Sequence, residues 1–193
     1  CIIDCVTAAS HTGGTEKDTA ALPFKQPFCA AADWGTSNLR MWLLAADGAP
    51  LRELRSEEGL TRVEDRDFAG VLGRNLAGLG APDNLPVVIC GMAGSRQGWV
   101  EAPYVETPAP LDQVLLHAVH APHPTRDVRI LPGIAQKDSG PPDVMRGEET
   151  QLLGLEAASG ERIVCMPGTH CKWVRLNGAA VTGFTTFLTG ELY

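Results

Sequence analysis

Two glycine–threonine turns, each preceded by a short apolar run, are the parts of this sequence best suited to chemistry. The first lies in "AAADWGTSNLRMWLL", where Asp33 follows the apolar run and Gly35 and Thr36 begin the turn. The second lies in "RIVCMPGTHCKWVRL", with Gly168 and Thr169 in the same place. A glycine has no Cβ to block a close approach, and such a turn exposes backbone N–H groups that suit phosphate oxygens. The shared strand–turn–strand context, at an offset of 168 − 35 = 133 residues, favours an internal duplication whose two turns clamp a triphosphate.

Asp33 is the candidate metal ligand of the first turn. A carboxylate at the end of a strand suits Mg²⁺, which is usually bound by one or two carboxylates together with water and substrate phosphates. The alternative is a plain β-turn in which Asp33 bonds to its own loop, because turns favour these residue types. The chain contains no GxxxxGK[ST] and no GxGxxG after a strand, so the P-loop and Rossmann classes are excluded.

Two carboxylates lie between the turns, in "MRGEETQLLG". Glu148 or Glu149, at the start of a predicted helix, has the chemistry to accept the proton of a substrate hydroxyl. The alternative is that both acids only complement the helix dipole. Arg146, just before them, is either a solvated charge or a contact for an anion.

The loop "CGMAGSRQGWVEAPY" is the other dense stretch of polar side chains. Hydroxyl partners, an aromatic face and a guanidinium suit a polyhydroxylated acid, and these are supplied by Ser95, Arg96, Gln97, Trp99, Glu101 and Tyr104. The alternative is a surface loop with Trp99 packed in the core. Zinc bound by Cys165, His170 and Cys171 is disfavoured, because the spacing does not match a structural site. His117, His120 and His123 are interpreted as surface residues.

The elements that must position these residues alternate between strands and helices, which predicts an α/β layered fold. Period and composition predict strands at Cys29–Asp33, Leu39–Ala46, Leu51–Ser56, "PVVICG", "VRILPG", "RIVCMPG", "CKWVRLNGAAV" and "VTGFTTFL". They predict helices over Phe68–Leu79, from Leu111 through Val119 to the "APHP" stretch, and over Glu148–Ala158. Residues 1–28 are polar and punctuated, and we expect an unassigned N-terminal extension there.

Composition narrows the class of partner. The chain has 193 residues, 44% of them hydrophobic, and a formal net charge of -7 without a run of Lys or Arg. Nucleic acids and anionic membranes demand clustered cations, so neither is an expected partner. With no stretch of about 18 apolar residues, no basic leader and six scattered cysteines, we expect a cytoplasmic protein with reduced thiols. A homo-oligomer stays open.

The ordered set of motifs resembles the 2-dehydro-3-deoxygalactonokinases, sugar-acid kinases of the actin-like ATPase and sugar kinase superfamily. The matching stretches are "DWGTSNLRMWL", "EEGLTR", "CGMAGSRQGWVEAPY", "LPG", "VMRGEETQLLG", "MPGTHCKWV" and "LTGEL". The resemblance implies a ribonuclease-H-like first domain over residues 29–160, with a mixed sheet and flanking helices. It also implies the beginning of a second, truncated domain over residues 161–193.

The same resemblance implies the ligands and the roles of the site residues. The stretch from Asp33 to Asn38, with Gly35, Thr36 and Ser37, resembles the first phosphate motif. Gly168, Thr169 and His170 belong to the second phosphate motif, and Glu148 takes the place of the base, with Glu149 as the alternative register. ATP and Mg²⁺ are the implied cofactors.

The function expected from these readings is ATP-dependent phosphorylation of 2-dehydro-3-deoxy-D-galactonate to its 6-phosphate, in galactonate catabolism. Ser95, Arg96, Gln97, Trp99, Tyr104 and Arg146 are the expected contacts of the sugar acid. Two alternatives stay open: a phosphohydrolase of the same superfamily, in which the acids of "GEE" orient water, and a non-catalytic nucleotide-binding fragment.

Overall fold

The computed structural model describes residues 25–138, 140–155 and 159–193. Its strands are β1 Cys29–Trp34, β2 Leu39–Leu44, β3 Pro50–Ser56, β4 Val87–Gly91, β5 Val105–Glu106, β6 Ala109–Pro110, β7 Val119–Ala121, β8 Val128–Ile130, β9 Ile134–Gln136, β10 Asp143–Met145, β11 Glu161–Met166, β12 His170–Asn177 and β13 Ala180–Leu188. Its α-helices are α1 Phe68–Leu79, α2 Leu111–Leu116 and α3 Glu148–Leu153. The predicted α/β class is confirmed. Most of the expected N-terminal extension, with Cys1 and Cys5, lies outside the described residues.

The largest sheet is mixed, with strand order β3-β2-β1-β4-β8-β7. Strands β1, β2 and β3 form an antiparallel meander, whereas β4 pairs in parallel with both β1 and β8. Helix α1 covers one face with an apolar stripe that includes Phe68, Leu72 and Leu76, all nearly without exposed surface. The helix is capped by Asp67, whose carboxylate accepts the Gly70 N–H at 2.9 Å, and it ends at the left-handed Gly80. This packing fixes the end of β1, where Asp33 lies.

Two smaller sheets share a second core. Strands β10, β9 and β5 form one, and β11, β12, β13 and β6 form the other, which is antiparallel. Their hydrophobic cluster combines residues from helices α2 and α3 with Val174, Val181 and Phe184 of the four-stranded sheet. Residues before and after position 160 therefore share one hydrophobic core, and strand β6 pairs with strand β13 across that position.

Several predicted boundaries were wrong. The strands predicted over "VRILPG" and "RIVCMPG" end earlier, at Ile130 and Met166. Helix α2 ends at Leu116, and Val119 instead begins β7, because pairing with β8 takes it into the sheet edge. Helix α3 ends at Leu153 before Gly154, and the remainder of its predicted span is partly outside the described residues. Strand β2 ends at Leu44, where hydrogen bonds between Ala45, Gly48 and Ala49 close the turn to β3. Among the described residues, no helix combines the length and apolarity that crossing a membrane requires.

Candidate active site

The first glycine–threonine turn joins β1 to β2 and is held from behind by the segment that follows β3. The Gly35 N–H donates to the Asn38 carbonyl at 2.9 Å. The Gly35 carbonyl accepts the Leu60 N–H at 2.9 Å, and the Thr36 carbonyl accepts both the N–H and the hydroxyl of Thr61 at 3.0 Å. Within the described chain, the exposed N–H groups of Thr36 and Ser37 have no acceptor. The turn therefore offers two free donors on a fixed backbone.

The second turn joins β11 to β12 and is closed in the same manner by the segment after β13. The Thr169 carbonyl accepts the Glu191 N–H at 3.1 Å, and the Gly168 carbonyl accepts the Thr189 hydroxyl at 3.3 Å. His170 Nε2 pairs with a carboxylate oxygen of Glu191 at 2.5 Å. The Thr169 N–H likewise has no acceptor among the residues that the structure describes. The two turns thus share a closure pattern as well as a sequence pattern.

Both turns line one cavity of about 550 Å³. Its walls contain the chemically competent side chains Asp33, Arg146, Glu148, Gln151, His170 and Glu191, with Gly35, Thr36, Ser37, Gly168 and Thr169 supplying backbone. Asn38 lies beside this cavity, on a smaller pocket that shares Asp33 and Thr169. The structure therefore brings together residues that lie more than a hundred positions apart in the sequence.

Asp33 meets this cavity from the end of β1. Burial raises the pKa of the Asp33 carboxyl, the Arg40 guanidinium lowers it, and the nearby Glu148 carboxylate raises it. A divalent cation at this place would relieve the repulsion between the two carboxylates and would stabilise ionised Asp33. Because Mg²⁺ needs only one or two carboxylates besides phosphate oxygens and water, these residues fit the ion.

Glu148 lies at the start of α3 with a quarter of its side chain exposed. One carboxylate oxygen accepts the Arg146 N–H at 2.9 Å, and the other is 3.8 Å from the Lys172 Nζ. The chain reaches this position through Gly147, whose φ of 111° favours glycine and whose added Cβ would approach the Gly91 backbone at 3.6 Å. The carboxylate is thus oriented from two sides and still open to the cavity.

Glu149 differs from its neighbour because it is fully buried. Both of its carboxylate oxygens accept the Gly147 N–H at 2.8 Å, and burial raises the pKa of this carboxyl to about 8. Glu149 therefore holds the turn that leads into α3 and does not face the cavity. Of the two predicted registers for the base, this geometry favours Glu148.

Arg146 is the cation closest to Glu148 in sequence, and it lines the same cavity. Its Nη2 donates to the Ala102 carbonyl at 2.9 Å, and the guanidinium lies 4.2 Å from the centre of the Tyr104 ring. Its Nε and Nη1 are buried without a hydrogen-bond partner. A guanidinium that lines the cavity has the chemistry to bind a carboxylate or phosphate oxygen.

The polar loop after β4 does not line the cavity with the side chains expected there. Arg96 and Gln97 are exposed, and the Ser95 hydroxyl is buried without a hydrogen-bond partner. Trp99 stacks on Phe68 at 6.0 Å between ring centres and lies edge-on to Trp34 at 6.5 Å. Tyr104 lines a separate pocket of about 330 Å³ and approaches the cavity only through Arg146. The packing of Trp99 in the core favours the structural alternative for that residue.

The structure also reveals site residues that sequence reasoning missed. Gly59 and Thr61 support the first turn, Glu191 closes the second, and Lys172 contacts Glu148. Gly59 and Thr61 lie in the motif "EEGLTR", Glu191 lies in "LTGEL" and Lys172 lies in "MPGTHCKWV". These motifs carried the family resemblance, but no role was attached to these residues. Cys165 Sγ and Cys171 Sγ lie 3.7 Å apart across the second turn, whereas His170 pairs with Glu191 rather than with either thiol.

A family model described as 2-keto-3-deoxy-galactonokinase matches residues 33–193. The chain belongs to this family. It is 55% identical over 168 residues to the "Probable 2-dehydro-3-deoxygalactonokinase DgoK1" of Rhizobium meliloti (strain 1021). It is 38% identical over 163 residues to the 2-dehydro-3-deoxygalactonokinase of Escherichia coli (strain K12). The family resemblance expected from the motifs is confirmed.

A solved structure from this kinase family supports the fold. The crystal structure of a candidate 2-dehydro-3-deoxygalactonokinase from Sinorhizobium meliloti matches with a TM-score of 0.80 and 56% identity, covering 86% of this chain and 55% of that one. The match to the Rhizobium meliloti protein covers 86% of this chain and 55% of that protein. The match to the Escherichia coli protein covers 84% of this chain and 54% of that protein. The chain therefore spans about half the length of the relatives it matches.

Proposed function

We propose that the full-length protein is an ATP-dependent kinase that phosphorylates 2-dehydro-3-deoxy-D-galactonate to its 6-phosphate, in galactonate catabolism. The observation that carries the proposal is the single cavity of about 550 Å³ on which both glycine–threonine turns, Asp33 and Glu148 open. Membership of the 2-keto-3-deoxy-galactonokinase family supports the choice of sugar acid.

In this proposal the free N–H groups of the two turns bind phosphate oxygens of ATP. Glu148 accepts the proton of the sugar hydroxyl while the hydroxyl oxygen of the sugar forms a bond to the γ-phosphorus. The bond from that phosphorus to the β–γ bridging oxygen breaks, and the electron pair leaves on ADP. Mg²⁺ held beside Asp33 would neutralise charge on the transferred group.

The remaining roles follow the same geometry. Gly35, Thr36, Ser37 and Asn38 are proposed for one phosphate group, and Gly168, Thr169 and His170 for another. Arg146 is the favoured contact of the sugar carboxylate, because its side chain lines the cavity whereas Arg96 does not. Roles for Ser95, Arg96, Gln97, Trp99 and Tyr104 in substrate binding stay predictions.

The proposal extends to the fold and the setting of the protein. We assign residues 29–160 to a ribonuclease-H-like first domain and residues 161–193 to the beginning of a similar second one. The support is the matched closure of the two turns, in which the threonine carbonyl accepts an N–H from the segment after the third strand: Thr61 in one case and Glu191 in the other. A cytoplasmic location and a homo-oligomeric state stay predictions.

The deciding experiment is an ATP-dependent phosphorylation screen of 2-keto-3-deoxy sugar acids with the full-length protein. We expect the galacto isomer to be consumed with release of ADP and to appear as a 6-phosphate. Glu148→Gln should lower kcat by about 10²–10⁴-fold, because the amide cannot take the proton, whereas Glu149→Gln should lower it far less. Phosphate release from ATP without a phosphorylated sugar would instead favour a phosphohydrolase.

A further inference from the structure

The search for an unassigned function leads to a buried lysine behind the proposed base. Glu149 and Lys172 are charged residues with only 0% and 5% of their surface exposed. Burying an ammonium group away from water is costly unless it is paired and hydrogen-bonded. The contacts of Lys172 therefore indicate the role of its positive charge.

Three groups from three elements surround the Lys172 ammonium. Its Nζ donates to the Val144 carbonyl of β10 at 2.8 Å and to the Thr186 hydroxyl of β13 at 2.7 Å. The Thr186 hydroxyl in turn lies 2.8 Å and 3.0 Å from the carboxylate oxygens of Asp143. Two of the three ammonium donors are thus used, and the remaining one is available to Glu148 Oε1 at 3.8 Å.

We infer that Lys172 is a positioning residue that holds the Glu148 carboxylate toward the phosphate site. The inference rests on the proposed function, since it assigns to Lys172 the orientation of the proposed base. Lys172 is two residues from His170 on β12, so the strand that begins at the second phosphate-type turn also carries the charge that faces Glu148. Lys172 itself touches neither substrate, so its effect is exerted through Glu148.

The test compares kinetic constants of variants of the full-length protein. Lys172→Met removes the charge at similar length, and it should lower kcat by about tenfold to a hundredfold, the scale of a misplaced catalytic group. The KM values for ATP and for the sugar acid should stay near those of the parent. Lys137→Met is the matched control, because Lys137 forms an exposed pair with Glu106 outside the cavity, and it should leave kcat unchanged.

A second variant keeps the inference testable where Lys172→Met does not fold. Thr186→Val removes the hydroxyl that orients the ammonium, and it should lower kcat without a change in KM. Thr182→Val is its control on the same strand, because the Thr182 hydroxyl donates to the Arg175 carbonyl and not to Lys172. Thr182→Val should have the kcat of the parent.

Double variants decide whether the effect passes through Glu148. When Lys172→Met or Thr186→Val is combined with Glu148→Gln, kcat should be no lower than for Glu148→Gln alone. Two results would overturn the inference while Glu148→Gln remains impaired. One is a kcat in the double variants that is lower than in Glu148→Gln alone, and the other is a parental kcat in both Lys172→Met and Thr186→Val. If Glu148→Gln itself keeps parental activity, or no sugar acid is phosphorylated, the proposed function fails and this inference fails with it.

Discussion

Asp33 shows how a single residue can be costly for stability and useful for binding. Its pKa is raised mainly by burial, so the ionised carboxyl destabilises the folded state in the absence of a cation. The same desolvation strengthens its interaction with a cation that enters the cavity. An ionised carboxylate that destabilises the folded protein is typical of functional sites rather than of plain turns.

The first prediction tests Asp33 in the full-length protein. Asp33→Asn should abolish magnesium-dependent phosphoryl transfer, and it should leave the melting temperature at neutral pH equal to or above that of the parent. The melting temperature should not fall because the variant no longer pays the cost of burying a charge. Steady-state assays over a magnesium titration, together with thermal melts, measure both effects. Parental turnover with unchanged magnesium dependence would contradict the assignment.

The second prediction concerns pH and Glu149. The folded pKa of about 8 lies above the ordinary value of 4.5, so the folded protein binds more protons than the unfolded chain between these pH values. The contribution of Glu149 to stability is therefore complete below about pH 4.5 and is lost as the pH rises toward 8. The urea midpoint of Glu149→Gln should be compared with that of the parent at each pH. The difference, variant minus parent, should increase from pH 5 to 8 and then level off. A difference that is flat or falls with pH would show that Glu149 is not buried as an acid.

The third prediction compares two arginines. Arg146→Ala should raise the KM for the sugar acid by about tenfold to a hundredfold, the scale of a lost charge-assisted hydrogen bond of roughly 1.5–3 kcal/mol. Arg96→Ala should have little effect, because Arg96 is exposed and does not line the cavity. The KM for ATP should barely change in either variant. A larger effect of Arg96→Ala than of Arg146→Ala would show that Arg96 is the contact of the substrate carboxylate.

At the scale of elements, each phosphate-type turn depends on a segment that follows the next hairpin. Gly59 lies against the back of the first turn so closely that an added Cβ would be 2.2 Å from the Ser37 carbonyl carbon and 2.4 Å from the Asn38 nitrogen. Gly190 plays the same part for the second turn, where an added Cβ would be 2.8 Å from the Gly168 carbonyl oxygen. Two backbones in contact keep the free N–H groups in place.

The fourth prediction follows from this contact. Gly59→Ala should displace the first turn, raise the KM for ATP and lower stability by about 1–3 kcal/mol, as overpacking does. Gly73→Ala is the matched control, because nothing lies within 4 Å of its added Cβ inside helix α1. It should raise stability by about 0.5–1 kcal/mol with no change in KM. Urea unfolding and steady-state kinetics measure the two effects, and a parental KM in Gly59→Ala would contradict the supporting role of Gly59.

At the scale of the whole molecule, the cavity exists because two separate sheets present their turns to each other. The first turn belongs to the six-stranded sheet, and the second belongs to the four-stranded antiparallel sheet. Helix α3 contributes Glu148 to the cavity wall while Leu152 packs in the second hydrophobic core. A ligand that bridges the turns should therefore stabilise the turns of both sheets at the same time.

The fifth prediction makes that coupling measurable. Mg²⁺–ATP should slow amide hydrogen exchange at Thr36 and Ser37 and at Thr169 together, since these N–H groups lack protein acceptors within the described chain. Amides of the exposed residues Ala46 and Asp47, in the turn between β2 and β3, serve as the control and should not respond. Protection of only one turn would mean that the two turns do not share the nucleotide.

Sequence by itself determined the local elements and the chemical types at the site. A continuous apolar run predicted β1, a turn between two strand-like segments predicted β3, and helical spacing predicted α1, each to within a residue. Helical spacing failed at Val119 and beyond Leu153, where strand pairing and a glycine outweighed it. Residue types alone also selected Asp33, both turns and the pair of acids as candidates for the chemistry of the site.

Only the tertiary structure decided which of these groups meet. Glu148 and Glu149 are adjacent in the sequence and equal in chemistry, yet one lines the cavity and the other is fully buried. Arg96 and Arg146 are equally cationic, but of the two only Arg146 lines the cavity. The direction of a side chain depends on contacts between distant segments, such as Gly147 with Gly91 and Lys172 with Glu148. Those contacts arise from the packing of the sheets, which no local pattern encodes.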